Sequence, residues 1–437
     1  MSDTNSAKSV NGIIHWQRSA TEAPDCTPLN GDIEADFVVV GGGLTGTRTA
    51  LGLAEQGASV VVLEAKHIGF GASGRSGGQC NPIWRATPDD LAQKLGEATA
   101  SRLVETTLSC ADDLFDDIRK YNIDCDAEQN GWVQTAHCGS AQKNLERLGA
   151  AWNNVGGQIK FLDRAETERA TGSSEYGFSL FHPKGGLVQP LSLTRGFART
   201  AAKLGAQLYD NSPVVSLNRS GSNWTATTPT GSVTAPQIIL TTNAYSDDLW
   251  PGLKQTFYPL VSVALATAPL SDNLQKSVLP NAVTISDTRR AIYFGRYDRD
   301  RRLIFGCVGS DDDAATLGAS WRLRRGLLKV FPQLENTDIE ATWAGRIAVT
   351  PEMMPHLHEP ESGILAGLGF SGRGIAMTSV MARTLVKKAL GASDQTLPFQ
   401  VSSINRIPLH WAAKKLIPLA APAMAVRDTM DTILRRS

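Results

Sequence analysis

One stretch constrains the fold more than any other: residues 36–65 read DFVVVGGGLTGTRTALGLAEQGASVVVLEA. Residues 36–40 form a short apolar, β-branched run that is typical of a buried parallel strand. Gly41, Gly43 and Gly46 follow with the spacing G-x-G-x-x-G. In that spacing the first glycine permits a tight turn, the second admits a pyrophosphate close to the backbone, and the third packs the next helix against the strand. The stretch therefore predicts a Rossmann-like unit that binds a dinucleotide.

The elements after the glycines complete this unit. Leu44 and Thr45 open a predicted helix over residues 44–56, whose unpaired N–H groups would lie under the phosphates. Residues 60–63 are the predicted second strand, and Glu64 at its end is placed to accept both hydroxyls of an adenosine ribose. A carboxylate there disfavours a phosphorylated ribose and hence NADP, but it leaves NAD and FAD open.

The loop after Glu64 distinguishes between these two cofactors. Residues 65–84, AKHIGFGASGRSGGQCNPIW, are rich in glycine and serine where an ordinary NAD domain would continue into a crossover helix. Such a loop favours a longer cofactor that runs along the backbone, although a flexible surface loop is the alternative. Ser73 can donate to a phosphate, Arg75 can neutralise charge, and Gly77 and Gly78 would let a flat ring lie close. The predicted contacts of this loop are Ala65, Lys66, Ala72, Ser73, Arg75, Ser76, Gly77, Gly78 and Gln79.

The glycine motif and the GASGRSGGQ loop together resemble the D-amino-acid oxidase-like superfamily of FAD-dependent oxidoreductases. Within that superfamily, the loop is most similar to the γ-glutamylputrescine oxidoreductase branch. Residues 342–355, TWAGRIAVTPEMMP, resemble the superfamily's W-x-G-x-x-x-x-T-P-D-x-x-P segment, with Glu352 in place of the commoner Asp. Residues 363–390 resemble its closing strand, glycine loop and helix. The resemblance implies that the cofactor is FAD.

The resemblance also implies further contacts with FAD. In the superfamily the helix after the closing glycine loop points its N-terminus at the N1–C2=O edge of the flavin, and Arg373 stands where relatives often carry His. Residues 181–217 would place backbone groups of Val214 and Val215 against the adenine, and residues 238–249 would place Thr242 under the cofactor. Members with covalent flavin use a Cys near the closing segment, which is absent here, so we expect FAD to be bound non-covalently. The remaining implied contacts are Gly345, Gly372, Gly374 and Ile375.

The chain as a whole is predicted to be an α/β protein, α+β overall, with two domains similar to those of glycine oxidase and sarcosine oxidase. A discontinuous Rossmann-like FAD-binding domain is predicted at residues 36–98, 181–250 and 340–400. A substrate domain with an antiparallel sheet is predicted at 99–180 and 251–339, followed by a tail at 401–437. Residues 290–298 and 301–309 alternate as a hairpin over the polar turn DRD. Apolar residues at three- and four-residue spacing predict helices over 89–121 and 141–155.

The candidate catalytic residues come from the hairpin and the two glycine loops. In the superfamily a C–N bond is oxidised by hydride transfer to flavin N5, and no dedicated base is required because a neutral amine can lose hydride directly. Arg296 can pair with a substrate carboxylate, and Tyr293 is expected to face the ring from the same strand, although exposed strand positions are the alternative for both. Gln79 can touch the ring or the amine, whereas Trp343 is either a pocket wall or a core residue. Arg373 completes the set.

Composition limits the other functions. The chain has 43 basic and 43 acidic residues, so it lacks the excess positive charge of nucleic-acid-binding proteins. A polar beginning, MSDTNSAKSVNG, and scattered cysteines predict a cytoplasmic protein with reduced thiols. His356 and His358 have no further ligand cluster nearby in the sequence, so no metal site is expected. Residues 406–437, apolar with flanking Lys and Arg, are expected to pack on the body, with docking on a membrane surface as the alternative.

These inferences favour an FAD-dependent oxidase of amines or amino acids, with γ-glutamylated amines among the candidate substrates. The imine product would hydrolyse to an aldehyde or a keto acid. Oxygen is the expected electron acceptor, although residues 303–309 lack the lysine that sarcosine oxidases place beside the flavin. A dehydrogenase that passes electrons to a quinone or a protein carrier is therefore the second interpretation, and a non-catalytic FAD-binding subunit is the third. A flavin monooxygenase would need a mid-chain NADPH motif, which we do not find in the sequence.

Overall fold

A computed structural model describes residues 12–309 and 318–433 of the chain. The glycine-motif strand Phe37–Val40 lies inside a seven-stranded sheet, between Gln237–Leu240 and Val60–Leu63. Its described strands run parallel except for one antiparallel pair, His356–Glu361 with Ile364–Leu368. In spatial order they are Val401–Ser402, His356–Glu361, Ile364–Leu368, Gln237–Leu240, Phe37–Val40, Val60–Leu63 and Gln207–Tyr209.

This sheet is buried on both faces, as its continuous apolar strands predict. Phe37 and Val39 face a cluster that includes side chains of three helices, Leu44–Ala54, Pro190–Lys203 and Gly374–Ala389. Val38 and Val40, which alternate with them, pack on a second cluster with side chains of a four-stranded sheet. The strands of that sheet are Gly31–Glu34, Gly231–Ala235, Asn223–Thr228 and Ser216–Ser220.

A second large sheet has eight strands and is mostly antiparallel. One face packs against apolar side chains of the Gly318–Val330 helix, among them Leu323 and Leu327. The opposite face carries Ile304 and Trp343 in a cluster shared with Leu191 of the Pro190–Lys203 helix. The strands in spatial order are Ile339–Val349, Tyr258–Pro269, Arg302–Gly309, Phe294–Tyr297, Thr284–Asp287, Trp132–Thr135, Ser179–His182 and Lys160–Leu162.

Several predicted elements are confirmed, and two assignments differ. The hairpin over DRD forms between Phe294–Tyr297 and Arg302–Gly309. The predicted helix over 89–121 is two helices, Pro88–Leu95 and Glu97–Lys120, because Gly96 between them has a φ of 77°. Strand Ile339–Val349 pairs within the eight-stranded sheet, although the sequence assigned it to the FAD-binding domain. Strand Val401–Ser402 joins the seven-stranded sheet, although the sequence assigned it to the tail. The other described elements are the helices Trp16–Ser19, Gly139–Asn153, Arg164–Thr171 and Asp272–Ser277 and the paired strands Gln79–Cys80 and Gly186–Leu187.

The predicted tail contains one long helix, His410–Ile433. His410 Nε2 lies 3.0 Å from the carbonyl oxygen of Phe257, and Asp428 forms an ion pair of 2.9 Å with Arg290. These contacts hold the helix against the body, as the first of the two predicted alternatives requires. In the part of the chain that the structure describes, no helical segment has the combined length and hydropathy of a bilayer-crossing helix.

Candidate cofactor and substrate site

The N-terminus of the Leu44–Ala54 helix offers free backbone donors. Gly43 precedes the helix and provides no side-chain cap, and no acidic residue stands in the first turn. Ser73 Oγ accepts a hydrogen bond of 2.8 Å from the N–H of Leu44. The N–H groups of Thr45 and Gly46 have no partner among the described residues, as expected for a first helical turn. Together with the helix dipole, these donors fit a bound pyrophosphate.

Gly46 is required for the helix to approach the strand. A Cβ atom at this position would lie 1.9 Å from the carbonyl oxygen of Gly41 and 2.7 Å from Oγ1 of Thr241. Thr241 in turn donates to the carbonyl oxygens of Val40 and Gly41, each at 3.0 Å. Thr241 therefore contacts the glycine turn. Thr242, which was predicted to lie under the cofactor, is hydrogen-bonded to Ser246 at 2.7 Å.

Glu64 lies beside the glycine turn, as its position after the second strand predicts. Its carboxylate accepts the N–H of Gly42 at 2.8 Å and the N–H of Lys66 at 3.0 Å. A carboxylate has about four lone-pair directions, so these two bonds leave acceptor capacity for ribose hydroxyls. Burial raises the pKa of Glu64. Of the backbone groups of Val214 and Val215 that were predicted to meet the adenine, the N–H of Val215 is bonded to the carbonyl oxygen of Thr227 at 2.8 Å.

Four consecutive carbonyl groups of the 75–78 loop are held by donors from distant parts of the chain. These donors, which we name the carbonyl clamp, are Trp343 Nε1 to Arg75 O at 2.8 Å, Trp16 Nε1 to Ser76 O at 2.8 Å, Arg296 Nε to Gly77 O at 2.8 Å and Val188 N to Gly78 O at 2.9 Å. In a trans peptide the N–H points opposite to the preceding carbonyl. The N–H groups of Gly77 and Gly78 therefore point away from the clamp and have no partner in the described part of the chain.

Arg296 is a member of the clamp and is fully buried. Besides Gly77 O, its guanidinium donates to the carbonyl oxygens of Val188 at 2.6 Å and of Tyr297 at 2.9 Å, and it lies over the Trp16 ring at 4.5 Å. With three carbonyl partners and no accessible surface, the guanidinium cannot reach a substrate carboxylate. The structure therefore corrects the role predicted for Arg296.

The other predicted catalytic residues also differ in position. Tyr293 packs against Phe305 and the Gly318–Val330 helix, on the face of the sheet that is turned away from the loop. Trp343 is a core residue, 1% exposed, which matches the second of its two predicted alternatives. The side-chain amide of Gln79 donates to Ile285 O and Gly295 O at 2.8 and 2.9 Å, so it ties the loop to the eight-stranded sheet.

Gly77 and Gly78, which were predicted to admit the flat ring, have no room for a side chain. A Cβ at Gly77 would lie 2.7 Å from the Phe294 ring, and one at Gly78 would lie 2.2 Å from the carbonyl oxygen of Val188. Arg75 donates to Gly71 O at 3.3 Å. Gly345 packs on the same arginine, since a Cβ there would lie 2.9 Å from the Arg75 Cβ.

Arg373 is the residue directly before the Gly374–Ala389 helix, and its side chain does not cap the helix. It is 6% exposed. Its guanidinium lies 5.0 Å from the ring centre of Trp132, and its Nε has no hydrogen-bond partner among the described residues. Burial, together with repulsion from Arg85, lowers the pKa of Arg373 to about 9. Of the neighbouring predicted residues, Gly372 has a φ of 87° in the closing glycine loop, and Ile375 packs in the core.

The surroundings of Arg373 include residues that the sequence did not identify. Arg85 is solvent-exposed, and its positive charge lies close enough to Arg373 to lower the pKa of that group. Trp132 and His182 are paired across neighbouring strands, and the pKa of His182 falls to about 4, chiefly through burial. No periodic pattern or motif joins these positions, because they come from separate segments.

Buried polar atoms without a hydrogen-bond partner occur, among other places, in the 76–81 loop, on the Trp132–Thr135 strand and at Arg373. The atoms are Ser76 Oγ, Asn81 Oδ1, Gln134 Oε1 and Arg373 Nε. Buried polar atoms in proteins are normally hydrogen-bonded, so these atoms are available to a polar ligand or to water. A flavin ring, which carries both N–H and C=O groups, fits these donors and acceptors, and the adjoining Leu44–Ala54 helix fits its pyrophosphate.

A buried thiol and a group of possible metal ligands lie elsewhere in the described structure. Cys307 faces the apolar cluster on the far side of the eight-stranded sheet, and burial raises its pKa to about 12. His137, Asp428 and Asp431 bring possible metal-ligand atoms within 4.8 Å of one another. The Arg290 guanidinium bonds both carboxylates, at 2.9 and 2.7 Å, so the cluster already contains its neutralising cation.

Comparison with known families gives a match that spans most of the chain. A family model described as FAD dependent oxidoreductase (DAO) matches residues 36–388. The chain belongs to this family. Membership confirms the predicted FAD cofactor and the predicted oxidoreductase class.

Two curated members of the DAO family are similar over nearly their whole length. A probable oxidoreductase OrdL of Haemophilus influenzae is 32% identical over 379 residues, which covers 85% of this chain and 87% of that protein. A gamma-glutamylputrescine oxidoreductase of Escherichia coli is 30% identical over 426 residues, which covers 96% and 98%. The predicted resemblance to that branch is confirmed.

Solved structures confirm the predicted fold. The glycine oxidase from Geobacillus kaustophilus superposes with a TM-score of 0.70 at 20% identity and covers 82% of this chain and 95% of its own. The L-proline dehydrogenase from P. horikoshii also gives a TM-score of 0.70 at 20% identity, with coverage of 85% and 98%. The DAO-family fold therefore extends across both large sheets.

Proposed function

We propose that this DAO-family enzyme oxidises the carbon–nitrogen bond of a small amine or amino acid, and that a γ-glutamylated amine is its substrate. The main support is the full-length similarity to the gamma-glutamylputrescine oxidoreductase of Escherichia coli, which covers 96% of this chain and 98% of that protein. The similarity therefore spans both large sheets. The imine product would hydrolyse to an aldehyde or keto acid and an amine or ammonia.

We assign the parts of FAD to separate groups of residues. The first turn of the Leu44–Ala54 helix would hold the pyrophosphate, and the Glu64 carboxylate would hold the adenosine ribose. The free N–H groups of Gly77 and Gly78 and the start of the Gly374–Ala389 helix would border the flavin. FAD supplies two-electron oxidation when it is bound, while the protein supplies orientation and exclusion of water. None of these assignments requires a dedicated base, because the amine can react in its neutral form.

The substrate class can be tested by anaerobic reduction of the purified, FAD-loaded protein. We expect γ-glutamylputrescine to bleach the flavin absorbance within seconds. Free putrescine, the same diamine without the γ-glutamyl group, should bleach it more slowly. A 2-hydroxy acid serves as the matched control because it offers a C–H bond beside oxygen instead of nitrogen. Bleaching by hydroxy acids alone would contradict the amine assignment. A flavin that dithionite reduces but that no amine or amino acid reduces would favour a non-catalytic FAD-binding subunit.

Oxygen is the acceptor that we propose. Relatives named glycine oxidase, 22% identical over 370 residues in Bacillus licheniformis, support it. A second candidate, a dehydrogenase, is favoured by the strand Arg302–Gly309, where Ile304 packs in a cluster with Leu191 and Arg302 is paired with Glu340 at 2.9 Å. Among the described residues, no Lys or Arg side chain of that strand therefore approaches the proposed position of the cofactor.

Mixing the reduced protein with aerated buffer distinguishes the two acceptors. For an oxidase we expect the flavin absorbance to return within one turnover time, with one hydrogen peroxide formed per flavin. A bleached flavin that persists for minutes in air, but recovers at once with a soluble quinone, would contradict oxygen as the acceptor and support the dehydrogenase.

A further inference from the structure

The C-terminal helix His410–Ile433 has an apolar side that is open to solvent. Leu416, Val426 and Met430 are 62%, 61% and 52% exposed. They are ten and four positions apart, so at about 3.6 residues per turn they fall within an arc of about 80° on one side of the helix. Ala423, also exposed, lies in the same arc. We name these four residues the outer face of the helix. A contiguous exposed apolar stripe of this kind indicates an interaction surface.

The opposite side of the same helix is held by the body of the protein. His410 Nε2 lies 3.0 Å from the carbonyl oxygen of Phe257, and Asp428 forms its ion pair of 2.9 Å with Arg290. These two helix residues are eighteen positions apart, which is about five turns, so they lie on one line along the helix. The outer face lies across the helix from that line. The body therefore holds the helix lengthwise on its surface and leaves the outer face turned outward.

Exposed apolar side chains are concentrated in this segment of the described structure. Eleven large hydrophobic residues are exposed, and five of them belong to residues 409–430, whereas the other six are distributed over residues 155–390. The two of the five that lie outside the outer face are Leu409 and Trp411, at the start of the helix. Tryptophan joins a large apolar ring to a polar N–H and is enriched where a membrane meets water. The composition of the segment therefore suits a lipid surface.

The charge of the tail distinguishes between possible partners of the outer face. Residues 406–437 contain six Lys and Arg residues and two acidic residues, whereas the whole chain is balanced at 43 of each sign. Both acidic residues, Asp428 and Asp431, are bonded to Arg290 of the body, at 2.9 and 2.7 Å. Arg427 is exposed directly beside the outer face. A basic segment with an apolar stripe complements an anionic surface, and it disfavours a second copy of the chain, whose equally basic tail would repel it.

We propose that the outer face of the His410–Ile433 helix docks on the surface of an anionic lipid bilayer. The helix lies in the plane of the membrane, with Leu416, Val426 and Met430 among the acyl chains and Arg427 near the lipid phosphates. Docking of this kind combines the burial of apolar area with attraction to anionic head groups. It is compatible with the contacts to the body, because the two use opposite sides of the helix. The inference concerns where the enzyme works and does not depend on the proposed substrate or electron acceptor.

Flotation of the full-length, FAD-loaded protein with lipid vesicles tests the docking. We expect the wild type to float with vesicles of equal parts phosphatidylglycerol and phosphatidylcholine, but not with vesicles of phosphatidylcholine alone. Val426→Glu/Met430→Glu should bind the anionic vesicles roughly 10- to 100-fold more weakly, because two apolar side chains leave the acyl region and two negative charges enter it. Arg427→Gln should weaken binding by a smaller factor. Leu204→Glu changes an apolar residue that is exposed elsewhere, so this matched control should bind as the wild type does.

Several results of this experiment would overturn the proposal. They are no binding of the wild type to the anionic vesicles, equal binding to the neutral vesicles, and full binding by Val426→Glu/Met430→Glu. A dimer that sedimentation detects and that this double variant dissociates, with no vesicle binding, would assign the outer face to a second copy of the chain instead. FAD content and circular dichroism show whether each variant is folded, and the wild-type comparison of the two lipids decides the question even if a variant does not fold.

Discussion

Gly46→Val should yield a protein that loses FAD during purification. The added Cβ would meet the carbonyl oxygen of Gly41 at 1.9 Å, and this oxygen belongs to the backbone, so it cannot rotate away. Overpacking of this kind costs about 1–3 kcal/mol. If that cost falls on the cofactor-bound state, FAD binding weakens by roughly 5- to 150-fold. The ratio of flavin absorbance to protein absorbance after gel filtration measures the loss directly.

Gly139→Ala is the matched control for this substitution. Gly139 lies at the start of the Gly139–Asn153 helix, and a Cβ there has no heavy atom within 4 Å. We expect this variant to retain FAD at the wild-type ratio and to unfold at the wild-type temperature. Full retention of FAD by Gly46→Val would show that the helix can move away from the strand without affecting the cofactor.

Replacement of Arg296 by methionine should lower the free energy of unfolding by about 3–5 kcal/mol, because three buried carbonyl groups lose a charged donor. Methionine preserves much of the side-chain length but leaves the carbonyl groups of Gly77, Val188 and Tyr297 without their donor. Each buried carbonyl that loses its partner costs about 1–3 kcal/mol. Because Gly77 belongs to the 75–78 loop, FAD content should fall together with stability. Urea unfolding and flavin absorbance measure the two effects on one sample.

Two tryptophan variants provide losses of unfolding free energy with which the Arg296→Met loss can be compared. Trp343→Phe removes one donor of the carbonyl clamp, the one to Arg75 O, so we expect a smaller loss of about 1–3 kcal/mol. Trp321→Phe changes a tryptophan that is 63% exposed and should have little effect. An Arg296→Met protein as stable as Trp321→Phe, with full FAD content, would contradict a structural role for the arginine.

The glycine unit could be predicted from the sequence because its information is local. Strand, turn, helix and second strand follow one another within residues 36–65, and each residue type acts on its own backbone or its immediate neighbours. The hairpin at 294–309 was predictable for the same reason. The family resemblance added FAD and the overall fold, which the DAO-family match and the solved structures confirm.

The side-chain roles were harder to predict because they depend on which face of a strand a residue occupies. Tyr293 and Arg296 are three positions apart, and on a strand residues at odd separations point to opposite faces. Both residues therefore could not face the ring from one strand. Phe294 and Arg296 face the loop, while Tyr293 packs toward the Gly318–Val330 helix.

The surroundings of Arg373 could not be predicted from local pattern. Arg85 follows the glycine loop, Trp132 and Gln134 lie on an inner strand, and Arg373 begins a helix near the other end of the chain. Their proximity results from packing between segments that are far apart in sequence. Trp16 is a similar case, because it stands close to the polar N-terminal stretch and carried no motif.

The carbonyl clamp also determines when the 75–78 loop can reach its native structure during synthesis of the chain. The 75–78 loop leaves the ribosome early, but its partner Arg296 is made much later and Trp343 later still. Until the strand Ile339–Val349 has been added, at least one loop carbonyl lacks its native donor. Contacts between such distant segments form slowly because a long loop of chain must first close. Newly made protein should therefore acquire FAD only after most of the chain has been translated, so a truncated product would not compete for the cofactor.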